Sequence, residues 1–290
     1  MKVLITGGSG RIGRYLLLNK PESADTEVLL SLTDPIIEDI PWYRTDIAEE
    51  KKTVIAVTCA SPDAVIHLAA YTDVEGCEKY PDLAYKINRD GAYNVAKACS
   101  ECGAKMIYIS TDYVFDGVYG PYSESDRTNP VNIYGHSKLE GEHAVQKLLE
   151  NAAIIRVSVP FGKRLEGAGH NFISWLIEQL SMGNTIKIAD DQFTTPSYME
   201  DLAGIFRKFA ENNLRGLFHY GTANRLSRYD MALAVCREMN FSESLLKPVK
   251  TSEMNFTAKR PLESGFIINK IHETLNIIPE LFNEALVRMI

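Results

Sequence analysis

The chain has 290 residues, of which 45% are hydrophobic and 24% are charged, values typical of a globular protein with one large domain or two small ones. Its formal net charge is −7 and it has no basic stripe, which disfavours nucleic acid as a partner. No apolar run approaches the ~20 residues that a membrane span needs, and no signal peptide is predicted at the N-terminus. The five cysteines are an odd number, which favours reduced thiols, so we expect a cytoplasmic protein.

Strand-like and helix-like segments alternate through the first half of the chain. Apolar and β-branched runs predict strands at 2–6, 27–32, 63–70, 104–110 and 152–158. The spacing of apolar residues predicts helices at 11–19, 83–102 and 132–150. Nearly continuous apolar strands between helices are typical of a parallel sheet covered on both faces. We therefore predict a doubly wound, Rossmann-type α/β fold.

The pattern changes after Pro160, where a glycine-rich loop over 161–170 begins. Beyond this loop, helices are predicted at 171–183, 197–212 and 227–239, and strands at 185–190 and 216–221. The boundary is a shift in composition rather than a linker, so we expect the two parts to pack together. We predict a first domain over 1–160, joined by parts of 191–225, and a smaller C-terminal lobe over 161–290.

A glycine-rich turn follows the first predicted strand and opens the first predicted helix. Gly7, Gly10 and Gly13 are spaced as G-x-x-G-x-x-G, and Arg11 and Ile12 lie between the last two. Glycines allow the backbone to approach a pyrophosphate closely, and the helix N-terminus offers unpaired N–H groups. The turn therefore predicts a dinucleotide-binding site with these five residues beside the cofactor.

The identity of the nucleotide is less sharply defined by the sequence. NAD specificity usually rests on an acidic residue at the end of the second strand, ~20 residues after the turn, and Asp34 is near that spacing. If the strand ends earlier, Ser31 takes that position, and Ser31 with Arg11 nearby would tolerate a 2′-phosphate. Asp46, followed by Ile47, is a candidate for the adenine edge. Both cofactors stay open, with NADP(H) slightly preferred over NAD(H).

Tyr134 and Lys138 form a Tyr-x-x-x-Lys motif near the start of a long predicted helix. A spacing of four places both side chains on one face, where the ammonium would lower the phenol pKa from its ordinary value of ~10. A tyrosine tuned in this way exchanges a proton near neutral pH. The polar stretch 109–117 follows a predicted parallel strand, at the edge where α/β sheets bind ligands. We expect Thr111 to hydrogen-bond a substrate oxygen beside Tyr134.

In this order the motifs resemble the extended short-chain dehydrogenase/reductase family. Within it the chain is most similar, over nearly its whole length, to the dTDP-4-dehydrorhamnose reductases. The similar stretches are "STDYVFDG", "NPVNIYGHSKLEGE", "DDQFTTPSYMEDLA" and "KRPLESGF". The resemblance implies NAD(P)H-dependent reduction of the C4 keto group of a nucleotide-linked 4-keto-6-deoxysugar, as in dTDP-L-rhamnose synthesis. It also implies that the first domain binds the dinucleotide and that the C-terminal lobe binds the substrate.

The resemblance assigns roles to individual residues. Thr111, Tyr134 and Lys138 would form the catalytic triad, and Asn88 would support the lysine through water. The further cofactor contacts that it implies are His67, Ala69 and Ala70, with Tyr134 and Lys138 themselves. The substrate contacts that it implies are Asp112, Val159, Asn171 and Arg260. No metal site is predicted, and a homodimer is left open as the assembly.

Two positions depart from related enzymes, and two other functions stay open. Sugar-nucleotide dehydratases of the same family carry an acid directly after Thr-Asp, but this chain has Tyr113, which disfavours dehydration. The rhamnose reductases carry a tryptophan that packs on the sugar where this chain has Val159, so the substrate could be a related 4-ketosugar nucleotide. The alternatives are a sugar-nucleotide epimerase, which would retain its nicotinamide, and a non-catalytic regulatory subunit of methionine adenosyltransferase.

Overall fold

A seven-stranded parallel sheet lies at the centre of this computed structural model, which describes residues 1–18, 26–32 and 40–290. The strands in chain order are β1 (Lys2–Thr6), β2 (Thr26–Ser31), β3 (Trp42–Arg44), β4 (Ala64–His67), β5 (Lys105–Thr111), β6 (Ala153–Val157), β7 (Ile186–Ala189), β8 (Phe193–Thr194), β9 (Gly216–Tyr220), β10 (Leu226–Ser227) and β11 (Leu246–Val249). The helices are α1 (Arg11–Leu18), α2 (Glu50–Ala60), α3 (Val74–Lys79), α4 (Pro81–Tyr85), α5 (Gly91–Cys102), α6 (Ile133–Leu148), α7 (Phe172–Ser181), α8 (Met199–Glu211), α9 (Arg228–Met239), α10 (Asn269–Leu275) and α11 (Phe282–Met289).

The order of the strands determines where a ligand can bind. The large sheet runs β3-β2-β1-β4-β5-β6-β9, and every neighbouring pair is parallel. The chain order reverses between β1 and β4, whose last residues, Thr6 and His67, are paired in register. In open α/β sheets the crevice outside the carboxyl ends of the strands at such a reversal is the usual ligand site.

The central strands are buried on both faces, as a doubly wound sheet requires. In β1, Val3 and Ile5 belong to one hydrophobic cluster, which α1 and α8 complete. Leu4 belongs to a second cluster, which α2, α5 and α6 complete. Because side chains alternate along a strand, each strand contributes to both layers. This arrangement confirms the predicted α/β fold.

The predicted elements match the structure except where they are short or interrupted. All five strands predicted in the first half are present, whereas the three-residue β3 was not predicted. The helix predicted over 83–102 is instead α4, a π-helical turn over Lys86–Asp90, and α5. The first predicted helix was extended to Asn19, which lies outside the described residues, as does Asp34.

A second group of elements follows β6. Helices α7, α9 and α11 pack around a third hydrophobic cluster, beside the parallel pair β7–β11. In contrast, α8 packs against α1, and β9 is the edge strand of the large sheet beside β6. The division at residue 160 stays a prediction. Within the described ranges no helix is both long and apolar enough to span a membrane.

Candidate active site

A cleft of about 700 Å³ lies at the carboxyl ends of the parallel strands. It extends from the glycine-rich turn after β1 to the residues that follow β5 and β6 and to the start of α9. Of the residues predicted from the sequence, it is lined by Gly7, Gly10, Arg11, Ile12, Gly13, Asp46, Ile47, Ala69, Ala70, Thr111, Asp112, Tyr134, Lys138, Val159 and Asn171. The cleft therefore brings the predicted cofactor turn and the predicted catalytic triad into one cavity.

The glycine-rich turn packs tightly against the segment after β4 on one side and faces the cleft on the other. A Cβ added to Gly7, whose φ is +69°, would lie 2.7 Å from the backbone nitrogen of Ala69. The Thr6 hydroxyl fixes this approach because it accepts hydrogen bonds from the backbone N–H groups of Leu68 and Ala69, each at 3.2 Å. A Cβ added to Gly10 would meet only the Gly7 carbonyl oxygen, at 3.1 Å. The turn thus leaves backbone exposed to the cleft, as a pyrophosphate requires.

Lys138 is held in a defined position by the strand beneath it. Its Nζ donates a hydrogen bond to the Ile109 carbonyl oxygen at 2.8 Å and lies 4.1 Å from the centroid of the Tyr108 ring. The side chain is 2% exposed, and this burial lowers its pKa to about 7. Helix α6 presents it from the second turn after the Asn132 cap, whose side chain accepts a hydrogen bond from the Gly135 N–H.

Tyr134 is a protonated phenol over the whole neutral range. Burial raises its pKa, and a hydrogen bond with Thr111 acts in the opposite direction. The ring contacts Tyr113 edge-on, with centroids 5.6 Å apart. The sequence predicted a net lowering of this pKa, which is wrong for the protein groups alone because burial dominates.

Asp112 links the end of β5 to the C-terminal part of the chain. Its Oδ2 accepts hydrogen bonds from the Ser264 hydroxyl at 2.9 Å and the Thr194 hydroxyl at 3.4 Å. The residue is 5% exposed, and burial raises the pKa of its carboxyl against the hydrogen bonds and the charge of Arg228. Asp112 lines the cleft as predicted, but one of its oxygens is engaged in holding the "KRPLESGF" segment.

Two predicted cofactor residues lie behind the cleft wall. The His67 Nδ1 is 2.7 Å from the Thr6 hydroxyl, and burial lowers the pKa of the ring to about 3. The Asn88 amide donates to the Ser137 hydroxyl and to the Tyr71 carbonyl, each at 3.0 Å, and accepts from the Tyr71 N–H at 2.8 Å. Neither side chain lines the cleft, because each is used to join neighbouring segments. His67 contacts Thr6 beside the glycine turn, and Asn88 contacts Ser137, which precedes Lys138 in α6, so both residues position cleft residues indirectly.

Two predicted substrate residues are engaged with the protein itself. Arg260 does not line the cleft, because its guanidinium pairs with Glu75 at 2.6 Å and contacts the Phe256 ring. Asn171 does line the cleft, but its side chain caps α7 and donates to the Gly162 carbonyl at 2.7 Å. A direct contact with substrate would require either side chain to release these partners.

The predicted adenosine end of the cleft is formed by loops after β1, β2 and β3. Ser31 and Asp46 line it, and the Asp46 carboxylate accepts a hydrogen bond from the Ala48 N–H at 2.9 Å. The Arg11 guanidinium donates to the His170 carbonyl at 2.6 Å, which ties the 161–170 loop to the cofactor turn.

Two of the cleft residues that were not predicted from the sequence carry side chains suited to ligand contact. Arg228 is the first residue of α9 and Phe172 the first of α7, and both line the cleft. Both come from the C-terminal part of the chain, and no spacing rule relates them to Tyr134. Val159 was predicted, and it adopts an unusual backbone with φ of +42°. A β-branched residue at positive φ is strained, which is common at functional sites.

The strand order, the glycine turn and the Tyr134–Lys138 pair define a Rossmann-type protein of the extended short-chain dehydrogenase/reductase class. The chain belongs to the RmlD substrate binding domain family, whose model matches residues 1–290. It is 32% identical over 266 residues to the dTDP-4-dehydrorhamnose reductase of Mycobacterium tuberculosis, covering 89% of this chain and 82% of that protein.

Two further relatives bear on function. The chain is 30% identical over 284 residues to methionine adenosyltransferase 2 subunit beta of Bos taurus, covering 95% of this chain and 83% of that protein. It is also similar to the crystal structure of dTDP-4-dehydrorhamnose reductase from Bacillus anthracis in complex with NADP. That comparison has a TM-score of 0.86 and 32% identity, and covers 99% of this chain and 98% of the other. The predicted family resemblance is confirmed.

Proposed function

We propose that this protein is an NAD(P)H-dependent reductase that reduces the C4 keto group of a nucleotide-linked 4-keto-6-deoxysugar, as in dTDP-L-rhamnose synthesis. The observation that carries the proposal is the single cleft that contains both the glycine turn and Thr111, Tyr134 and Lys138. The reductases among the relatives support the same activity.

The cofactor fits the turn because a glycine backbone faces the cleft where a pyrophosphate would lie. A bound nicotinamide would supply the hydride for the carbonyl carbon. The chain contributes the groups that hold the carbonyl oxygen and give it a proton. Ser31 and Asp46 would contact the adenosine end, and Lys138 the nicotinamide end.

The protonation states of the cleft residues suit reduction. Because the pKa of Tyr134 is raised, its phenol keeps its proton at neutral pH and can donate it to the developing alkoxide. The Thr111 hydroxyl would hold the same oxygen. Lys138 lies on the same helical face as Tyr134, and where it is protonated, at and below its pKa of about 7, its charge would stabilise the phenolate left after the transfer.

The proposal is tested by following NAD(P)H oxidation with a panel of nucleotide-linked 4-keto-6-deoxysugars. We expect oxidation that depends on the sugar nucleotide and is lost in Tyr134→Phe. A complete panel without oxidation above the no-sugar rate would overturn it. Nicotinamide that stays bound through purification, without net oxidation, would instead indicate an epimerase.

We further propose a preference for NADP(H). Ser31 and Arg11 line the cofactor end of the cleft, and a serine with a nearby arginine can accept a 2′-phosphate. The Bacillus anthracis relative, which was solved with NADP, supports this preference. Arg11→Gln should weaken NADPH binding more than NADH binding in a fluorescence titration. Equal loss for both cofactors would contradict a role for Arg11 in choosing between them.

A second candidate is a regulatory subunit of methionine adenosyltransferase. It is favoured by the similarity to the Bos taurus subunit over 95% of this chain. Tight binding to a methionine adenosyltransferase in a pull-down, with no ketosugar supporting turnover, would favour this candidate. Location in the cytoplasm, a homodimer and the two-domain division stay predictions, and light scattering of the purified protein would test the dimer.

A further inference from the structure

We infer that Arg228 binds the diphosphate of the nucleotide-sugar substrate, an inference that rests on the proposed function. Arg228 begins α9, is half-buried and lines the same cleft as Tyr134 and Asp112. Its guanidinium carbon lies 4.9 Å from the centroid of the Phe172 ring, which also lines the cleft. A ring contact positions the cation without using any of its N–H groups.

The neighbouring arginines are paired, but Arg228 is not. Arg260 pairs with Glu75 at 2.6 Å. Arg225 donates to the Ser264 carbonyl at 2.6 Å and pairs with Glu263. Over the ranges that the structure describes, the Arg228 guanidinium makes neither a hydrogen bond nor an ion pair. Five donors in a fixed plane therefore stay available to a ligand in the cleft.

The position of Arg228 is unfavourable for a cation in several ways. Burial lowers its pKa, and the charge of Arg260 acts in the same direction. It also lies in the first turn of α9, the end of a helix that disfavours positive charge. The nearby Asp112 carboxyl favours the charged guanidinium and offsets part of this cost. Charged residues that a fold keeps in such unfavourable positions often have a functional role.

A diphosphate is the ligand group that best matches this arginine. A guanidinium donates to phosphate oxygens through two parallel N–H bonds, which a lysine cannot reproduce. The pyrophosphate of the cofactor has its own site at the glycine turn. Arg228 is instead beside Asp112 and Tyr113, on the side of the cleft formed by the C-terminal part of the chain. The diphosphate that remains is that of the sugar nucleotide.

The test measures binding of dTDP and UDP by calorimetry to the wild-type chain and to Arg228→Met, Arg228→Lys and Arg237→Met. Arg237 is an exposed arginine on the same helix and controls for the change of charge. We expect Arg228→Met to weaken binding of the preferred nucleotide by about 10- to 100-fold, Arg228→Lys to weaken it less, and the control to match wild type. NADPH affinity should stay within about twofold in all variants. In turnover, Arg228→Lys should raise KM for the sugar nucleotide and leave kcat nearly unchanged.

The outcomes separate this inference from the proposed function. If wild type binds dTDP or UDP and Arg228→Met binds it equally well, the inference is wrong and the reductase proposal stands. If wild type binds neither dTDP nor UDP, the inference is overturned, and the reductase proposal is decided separately by the oxidation panel. If the Arg228 variants lose NADPH and nucleotide binding to the same extent, the arginine is structural and the inference is overturned.

Discussion

Replacing Lys138 by methionine should change how the stability of the protein depends on pH. The folded chain holds this lysine with a pKa of about 7, whereas its ordinary value of 10.5 applies after unfolding. Between these two values the unfolded state binds a proton that the folded state does not. The free energy of unfolding of the wild type therefore rises with pH through this window, by about 1.4 kcal/mol per pH unit. Below pH 7 both states are protonated, and the full penalty of burying the charge is present.

Methionine fills a similar volume and has no proton to bind, so the Lys138→Met variant should lack this rise. The variant also loses the hydrogen bond to the Ile109 carbonyl. This loss lowers its free energy of unfolding at every pH and does not change how that free energy depends on pH. Urea unfolding at several values from roughly pH 7.5 to 9.5 should show the gap between the two proteins changing by about 2–3 kcal/mol. At the low end of this range the variant should be at its most stable relative to wild type.

The matched control is Lys187→Met, which removes an exposed lysine from β7. Its curve should run parallel to that of the wild type. Parallel curves for Lys138→Met as well would show that the lysine is not held in a charge-disfavouring site, and the reasoning from burial would be refuted. Oxidation of NAD(P)H should be lost in Lys138→Met, even at pH values where the variant is the more stable protein.

Three further changes test the cleft. Tyr134→Phe removes the proton donor and should lower turnover by about 10²–10⁴-fold with NADPH affinity nearly unchanged, and wild-type-like turnover would rule out the role. Gly10→Val adds a side chain on the open face of the turn and should weaken binding of both NADPH and NADH in fluorescence titrations; unchanged titrations would refute a pyrophosphate site there. Val159→Trp should raise activity on the rhamnose precursor relative to other 4-ketosugar nucleotides, because it restores an apolar wall for the sugar; an unaltered preference would remove Val159 from substrate selection.

The central sheet could be predicted because its strands are buried on both faces. A strand such as 2–6, whose central residues 3–5 are all apolar, has few other environments in a protein of this size. The π-helical turn over Lys86–Asp90 could not be predicted, since its residues have no distinctive local preference. It places Asn88 where the side chain bonds Tyr71 and Ser137, and those partners are distant in the sequence. Tertiary contacts rather than local propensity define that segment.

The proposed catalytic motif was predictable because its geometry is local. Tyr134 and Lys138 are one helical turn apart, and the glycines lie directly between a strand and a helix. The pairing of Arg260 with Glu75 was not predictable, because 185 positions separate them in the chain. The lack of polar partners for the Arg228 guanidinium was unpredictable for the same reason, since its neighbours come from three separate segments of the chain. The structure therefore brings the residues of the proposed reaction centre together as the sequence patterns predicted, whereas Arg260 is engaged elsewhere.

Two buried ion pairs outside the cleft contrast with the charged residues inside it. Arg156 pairs with Glu142 at 2.6 Å, and Arg207 pairs with Glu27 at the same distance, all with side chains that are at most 9% exposed. Such pairs offset much of the free energy that burial of each charge costs.

Inside the cleft, Lys138 and Arg228 have no such ion pair with any residue that the structure describes. Lys138 is buried without a carboxylate partner among the described residues and donates only to a backbone carbonyl. The Arg228 guanidinium makes neither a hydrogen bond nor an ion pair within that part of the chain, and Val159 has a strained backbone. A fold retains such costs where a ligand compensates for them or where chemistry requires them. All three residues line one cavity, together with the cofactor turn. The unpaired charges and the strained backbone therefore lie in the site that we propose to be catalytic.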